Sequence, residues 1–253
     1  MRNPVDEMTR RWLDEAGVGA GMRVIDMGCG PGVVTVELAQ RVGPNGRVFA
    51  VDRSPPMLAM ARERCRSLGL TNVELVEGTF ELPELPGGPV DAAVGRRVLM
   101  YQPNPVECVQ SLARVVRPGG LVWFHEHDGS PVGDPEASVP LHDRVRGWLH
   151  AMLLHEGASV RMGYELFGVL RAAGLVVEEV RAEANLVTPE SEHPIAPMIR
   201  QIQQRIIEPG IATAEEIDVD TLDARLARER RETGATIVWD LVFCAWARTR
   251  TDA

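Results

Sequence analysis

The sequence predicts an α/β fold, a doubly wound, seven-stranded and mostly parallel sheet with helical lid insertions. Three observations predict it. Short apolar runs alternate with segments of helical period from about residue 20 to about residue 128. These runs are continuous rather than alternating, as expected of strands covered on both faces. A glycine cluster follows the first run, and an aspartate closes the second.

The elements follow in order. Residues 5–16 read as an amphipathic helix with Met8, Trp12 and Leu13 on one side. Residues 22–27 are the first strand, Val33–Val42 the next helix, and 47–51 the second strand, ending at Asp52. A helix over 55–68 has Ser54 as N-cap, Pro55 in its first turn and Gly69 as its stop. Strands at 73–76 and 90–94 follow, then a helix over 105–116 halted by Pro118-Gly119-Gly120, and a fifth strand at 121–124. Beyond residue 128 the beat loosens. Residues 129–140 read as a loop, 141–155 and 165–173 as helices, and 175–180 as a sixth strand. Residues 194–207 and 215–231 read as helices, and 235–247 as the final strand. One domain over 1–253 is expected, with its core at about 20–128, 160–182 and 235–247. The segments 129–160 and 185–232 interrupt it. Such insertions either wall an active site or decorate the surface, and the residues leave both open.

Composition narrows the partners. The chain has 253 residues, 45% hydrophobic and 25% charged, which are ordinary globular values. A net charge of −9 disfavours phosphate backbones, so a nucleic-acid substrate is not expected. No apolar run is long enough to span a bilayer, and residues 1–14 are too charged for a secretory leader. Cys29, Cys65, Cys108 and Cys244 lie far apart without a Cys-x-x-Cys pair, so reduced thiols and a cytoplasmic location are expected. Oligomeric state is not legible.

The most informative stretch is Asp26-Met27-Gly28-Cys29-Gly30-Pro31-Gly32, between a strand and a helix. Glycine tolerates positive φ and lets a ligand approach the backbone. The following helix N-terminus favours a negative ligand group. A dinucleotide fingerprint needs a glycine three residues after Gly30, where Val33 stands; the third glycine is Gly32 instead. Asp52, closing the second strand, can accept both hydroxyls of a ribose. The other reading of the loop is a structural turn.

The pattern Asp-x-Gly-x-Gly-x-Gly resembles the first motif of class I S-adenosylmethionine-dependent methyltransferases, which have a Rossmann-like fold. That resemblance implies that Gly28, Gly30 and Gly32 face the methionine portion of S-adenosylmethionine and that Asp26 helps to hold its ammonium end. Asp52-Arg53-Ser54-Pro55-Pro56-Met57 is similar to the family's next motif and implies an adenine pocket lined by Met57. Where the family commonly has Gly-Asp-Ala, this chain has Gly78-Thr79-Phe80. Thr79 takes the place of an adenine-binding carboxylate and accepts more weakly, so reduced affinity is expected; Phe80 is expected to stack. Arg96 and Arg97 are placed by the resemblance beside the methionine and the substrate. Arg117-Pro118-Gly119-Gly120 resembles the family's turn before the fifth strand.

Methyl transfer needs alignment, and a hydroxyl or acidic carbon also needs a base. The candidates cluster at His125-Glu126-His127-Asp128, where the fifth strand ends. His125 and His127 point to one face, Glu126 and Asp128 to the other. A general base at His127 or His125, a structural hydrogen-bonding cluster and a metal site all stay open; no independent third ligand is evident, so no metal is expected. Tyr101 is a candidate for orienting substrate, with core packing as its alternative. The expected function is S-adenosylmethionine-dependent methylation of a small metabolite at oxygen, nitrogen or carbon, as in natural-product tailoring or quinone biosynthesis. The alternatives are a cyclisation, decarboxylation or hydroxylation by an enzyme that keeps the same cofactor, and a non-catalytic binding module.

Overall fold

The computed structural model describes residues 4–81, 85–128 and 138–251. Its seven strands form one mostly parallel sheet in the order β3-β2-β1-β4-β5-β7-β6, as the sequence predicts. The strands are β1 (Arg23–Met27), β2 (Arg47–Asp52), β3 (Val73–Glu77), β4 (Val90–Arg96), β5 (Val116–Asp128), β6 (Val176–Val187) and β7 (Ile237–Arg248). The order runs outward from β1 to β3 in one direction and from β4 in the other. The reversal between β1 and β4 is the topological switch point at which ligands sit in open parallel sheets.

The helices are α1 (Pro4–Glu15), α2 (Val33–Val42), α3 (Pro55–Ser67), α4 (Pro105–Val115), α5 (Pro140–His155), α6 (Met162–Ala172), α7 (Ala196–Ile207), α8 (Ala214–Ile217) and α9 (Leu222–Thr233). Three departures from the expected elements have local causes. β5 begins at Val116 rather than 121, because Val116 pairs with Val90 before Pro118-Gly119-Gly120 bulges out, and pairing resumes at Leu121 with Ala92. The helix expected over 215–231 is two helices. Thr213 and Glu216 form a capping box on α8, and Asp218, with φ 40°, ends it. A 3-10 turn, Leu99–Tyr101, follows β4 without an obvious sequence signal. The loop expected at 129–140 lies outside the described residues up to 137.

The chain divides into two compact units. The first comprises Met1–Glu126, Met162–Ala182 and Val242–Ala253. Its core on one sheet face joins Trp12 and Leu13 of α1, Leu38 and Val42 of α2, and Val94, Trp123, Val242 and Trp246 from the strands. The second comprises His127–Arg161 and Glu183–Leu241 and contains α5, α7, α8 and α9. The expected lid segments, so far as they are described, fall in this second unit.

Inside the second unit the Arg230 guanidinium is 2% exposed and is held without a carboxylate bonded to it directly. Nε and Nη2 donate to the carbonyls of Thr188 and Ser191, each at 3.2 Å, and Nη1 lies 3.1 Å from His142 Nε2. His142 Nδ1 in turn lies 2.7 Å from Glu229, which also accepts the backbone N–H groups of Leu141 and His142 at the start of α5. Glu229, His142 and Arg230 thus form a relay in which the imidazole separates the two charges. It ties α5 to α9 and to the chain at 188–191.

Candidate active site

Four loops leave the C-terminal ends of adjacent parallel strands in the first unit: 28–32 after β1, 53–54 after β2, 78–81 after β3 and 97–101 after β4. The glycine loop is held from below. The N–H groups of Gly28 and Cys29 both donate to the Val51 carbonyl, at 2.8 and 2.9 Å. All three glycines have positive φ, of 68°, 52° and 81°. Two of them are also crowded. A Cβ on Gly28 would lie 2.3 Å from Val98 Cγ2, and one on Gly32 would lie 3.0 Å from Ala61 Cα. A Cβ on Gly30 would meet nothing within 4 Å, so this glycine faces open space.

Asp52 organises the loop. Its Oδ2 accepts the Gly30 N–H at 2.8 Å and its Oδ1 accepts the Ser54 N–H at 2.9 Å. Each carboxylate oxygen retains acceptor capacity for a further donor. A half-buried carboxylate flanked by backbone N–H groups, beside a glycine that opens outward, fits an adenosine ribose and the methionine end of S-adenosylmethionine. Gly78 donates to the Asp52 carbonyl at 3.1 Å, which brings the third loop against the second. Thr79 is exposed, and its hydroxyl accepts from the Glu81 N–H at 3.3 Å. Phe80 turns inward and is 6% exposed, a correction to the expectation that it stacks on adenine. Arg53 is exposed and Met57 half-buried on the first turn of α3.

Other expected residues serve the scaffold first. Asp26 is 1% exposed and accepts a 2.6 Å bond from the Thr35 hydroxyl, stapling β1 to α2. Burial pushes its carboxyl up to about 6, partly offset by Thr35 and by the nearby Arg96. Arg96 already holds a carboxylate from its own chain, Asp6 of α1, at 2.6 Å, and also donates to Thr9 at 3.2 Å. Arg97 is exposed, with φ 54°, and its N–H donates to the His125 carbonyl at 2.9 Å.

The four-residue cluster of β5 does not act as a group. His125 is 0% exposed, lies 3.0 Å from Thr9 Oγ1 and packs edge-on against Trp12 and Trp123, with centroids 5.2 and 5.9 Å away. A base must reach its proton, so the expectation of a base at His125 is corrected: it is a core histidine. Glu126 is also 0% exposed, and its Oε1 accepts the N–H groups of Val98 and Leu99 at 2.9 and 2.8 Å. It caps the 3-10 turn that carries the half-buried Tyr101. Burial raises its carboxyl to about 7, against the pull of those N–H groups and of Arg97. Among the described residues no three His, Cys, Asp or Glu side chains are placed to hold a metal ion.

His127 belongs to the second unit, and there its Nδ1 lies 2.6 Å from Asp240 Oδ1. Sequence reasoning missed Asp240. The available signal was a single acidic residue inside the apolar run Ile237-Val238-Trp239-Asp240-Leu241-Val242-Phe243.

A family model described as a methyltransferase domain matches residues 19–161, more than half of the chain. The chain belongs to the class I S-adenosylmethionine-dependent methyltransferase family. Among its curated relatives, a nocamycin O-methyltransferase of Saccharothrix syringae is 31% identical over 205 residues, covering 73% of this chain and 70% of that protein. An aklanonic acid methyltransferase of a Streptomyces species is 32% identical over 117 residues, covering 46% of this chain and 53% of that protein. The chain spans no more than about half the length of the first two curated relatives that it matches. A solved S-adenosylmethionine-dependent methyltransferase from Aquifex aeolicus matches 67% of this methyltransferase and 80% of its own chain, with a TM-score of 0.53 and 26% identity.

Proposed function

We propose that this methyltransferase binds S-adenosylmethionine on the loops after β1, β2 and β3 and transfers its methyl group to a small molecule. The observation that carries the reading is the Asp52 carboxylate bound to the Gly30 and Ser54 N–H groups, beside an outward-facing Gly30. Asp52 holds the ribose hydroxyls. Gly28, Gly30 and Gly32 form the backbone floor for the methionine portion, and Asp26 fixes α2 one step behind it. Met57, Gly78 and Thr79 border the adenine, with Arg53 at its exposed margin. Glu126 positions the turn that presents Tyr101 to substrate, Arg97 stands beside that turn, and His127 is the base. When bound, S-adenosylmethionine supplies a methyl group on a positively charged sulfur; the protein's task is to align the acceptor and manage its proton. The names of the relatives, a nocamycin O-methyltransferase and an aklanonic acid methyltransferase, favour a natural-product acceptor. A soluble cytoplasmic enzyme fits the finding that no helix among the described residues is long and apolar enough to cross a membrane.

Calorimetry with S-adenosylmethionine tests the reading. The wild type is expected to bind, and Asp52→Ala to lose about 1–3 kcal/mol of that binding. Mass analysis of products is expected to find one added methyl group. No binding to the wild type sinks the proposal, and turnover of acceptor without an added methyl group sinks the transfer step.

A further inference from the structure

The second unit contains a buried carboxylate that none of the cofactor assignments uses. Asp240 is 8% exposed, stands near the start of β7 and lies 2.6 Å from Nδ1 of His127, whose side chain is 20% exposed. An ionised carboxylate only accepts, so Nδ1 carries the hydrogen in this pair. In a neutral imidazole the lone pair then falls on Nε2. Asp240 therefore selects the tautomer and fixes the ring, so that one nitrogen alone is available to receive a proton.

We propose that Asp240 is a positioning residue for His127, and that the pair serves an acceptor that must lose a proton as it is methylated, namely a phenolic or enolic hydroxyl. This rests on the methyl-transfer reading above and adds the acceptor class to it. Carboxylic acids are already ionised at neutral pH, with ordinary values near 4, and require only alignment. A neutral amine already presents its lone pair. A phenol, near 10 in water, is protonated at neutral pH and gains from a base. In the step, the acceptor O–H proton moves to His127 Nε2 while the oxygen bonds to the methyl carbon. The carbon–sulfur bond breaks, its electron pair returns to sulfur, and S-adenosylhomocysteine leaves neutral at sulfur. The imidazolium then gives its proton to water.

The test offers the full chain S-adenosylmethionine with a panel of phenols, β-diketone enols, carboxylic acids and amines, and reads product mass. Methylation of phenols or enols is expected. With an accepted phenol, His127→Gln should lower kcat by about 10²–10⁴-fold, whereas a nitrophenol already ionised at the assay pH should be methylated at near the wild-type rate. Asp240→Asn should lower kcat for the ordinary phenol by a smaller factor and leave KM unchanged. A purely structural pair would slow both phenols equally. Independently of turnover, nitrogen NMR of the imidazole should find the Nδ1–H tautomer at His127 in the wild type and lose that preference in Asp240→Asn. Equal slowing of both phenols, an Nε2–H tautomer in the wild type, or S-adenosylmethionine binding with no phenol or enol methylated would overturn this inference. Failure of S-adenosylmethionine to bind would instead overturn the transfer reading on which it rests.

Discussion

Gly28 and Gly30 share a left-handed backbone but not an environment. At Gly28 a methyl group meets Val98 Cγ2 at 2.3 Å, and at Gly30 it meets nothing. Gly28→Ala combines backbone strain with overpacking and should destabilise the fold by about 2–4 kcal/mol. Gly30→Ala carries the strain alone, about 1–2 kcal/mol, yet should cost more S-adenosylmethionine affinity because its Cβ occupies the ligand side of the loop. Urea midpoints and calorimetry on the two variants separate the effects, and undiminished affinity in Gly30→Ala would count against the placement of the cofactor. Glu126 gives a pH prediction. Its ordinary value is 4.5 and burial raises it to about 7 in the fold, so the native chain holds the extra proton between those values. Stability from this group is present below pH 4.5 and is lost as pH rises through 7. Glu126→Gln retains a carbonyl acceptor for Val98 and Leu99 but cannot ionise. Its urea midpoint should therefore fall less than that of the wild type across that window, and parallel curves would refute the assignment.

At the scale of elements, α1 is fastened to the sheet by polar bonds as well as by Trp12 and Leu13. Thr9 donates to the Val5 carbonyl at 2.9 Å, lies 3.0 Å from His125 Nδ1 and accepts from Arg96 at 3.2 Å. Thr9→Val preserves shape and removes all three, so a loss of about 1–3 kcal/mol in chemical denaturation is expected; an unchanged midpoint would mean that α1 is held by apolar contact alone. The readable elements were those with local punctuation. Gly32 and Pro55 placed the starts of α2 and α3 because each acts on the residues beside it. The division between α8 and α9 was not readable, since its turn contains neither glycine nor proline and rests on Asp218 adopting a left-handed conformation. The bulge in β5 hid that strand's start, because Pro118-Gly119-Gly120 reads as a stop. The same contrast runs through the site. Asp52 and the glycine loop were legible because they are short contiguous motifs. The partners of Arg96 and His127 lie 90 and 113 residues away, and no local period encodes such pairings.

For the whole molecule, the relay of Glu229, His142 and Arg230 makes the second unit depend on one buried cation. Arg230→Met leaves two carbonyls and an imidazole without their donor and should cost about 3–5 kcal/mol. The loss should be seen first as faster amide exchange in α5 and α9; uniform acceleration that includes β1 and β2 would argue that the relay supports the chain globally. The strand order has a consequence for synthesis. β7 lies between β5 and β6 in the sheet yet follows both in the chain. While a ribosome is still making residues 188–236, β5 and β6 exist without the strand that joins them, and each presents a bare backbone edge to whatever is nearby. The nascent chain is thus most exposed to mispairing late in translation, when most of its sheet has already been made.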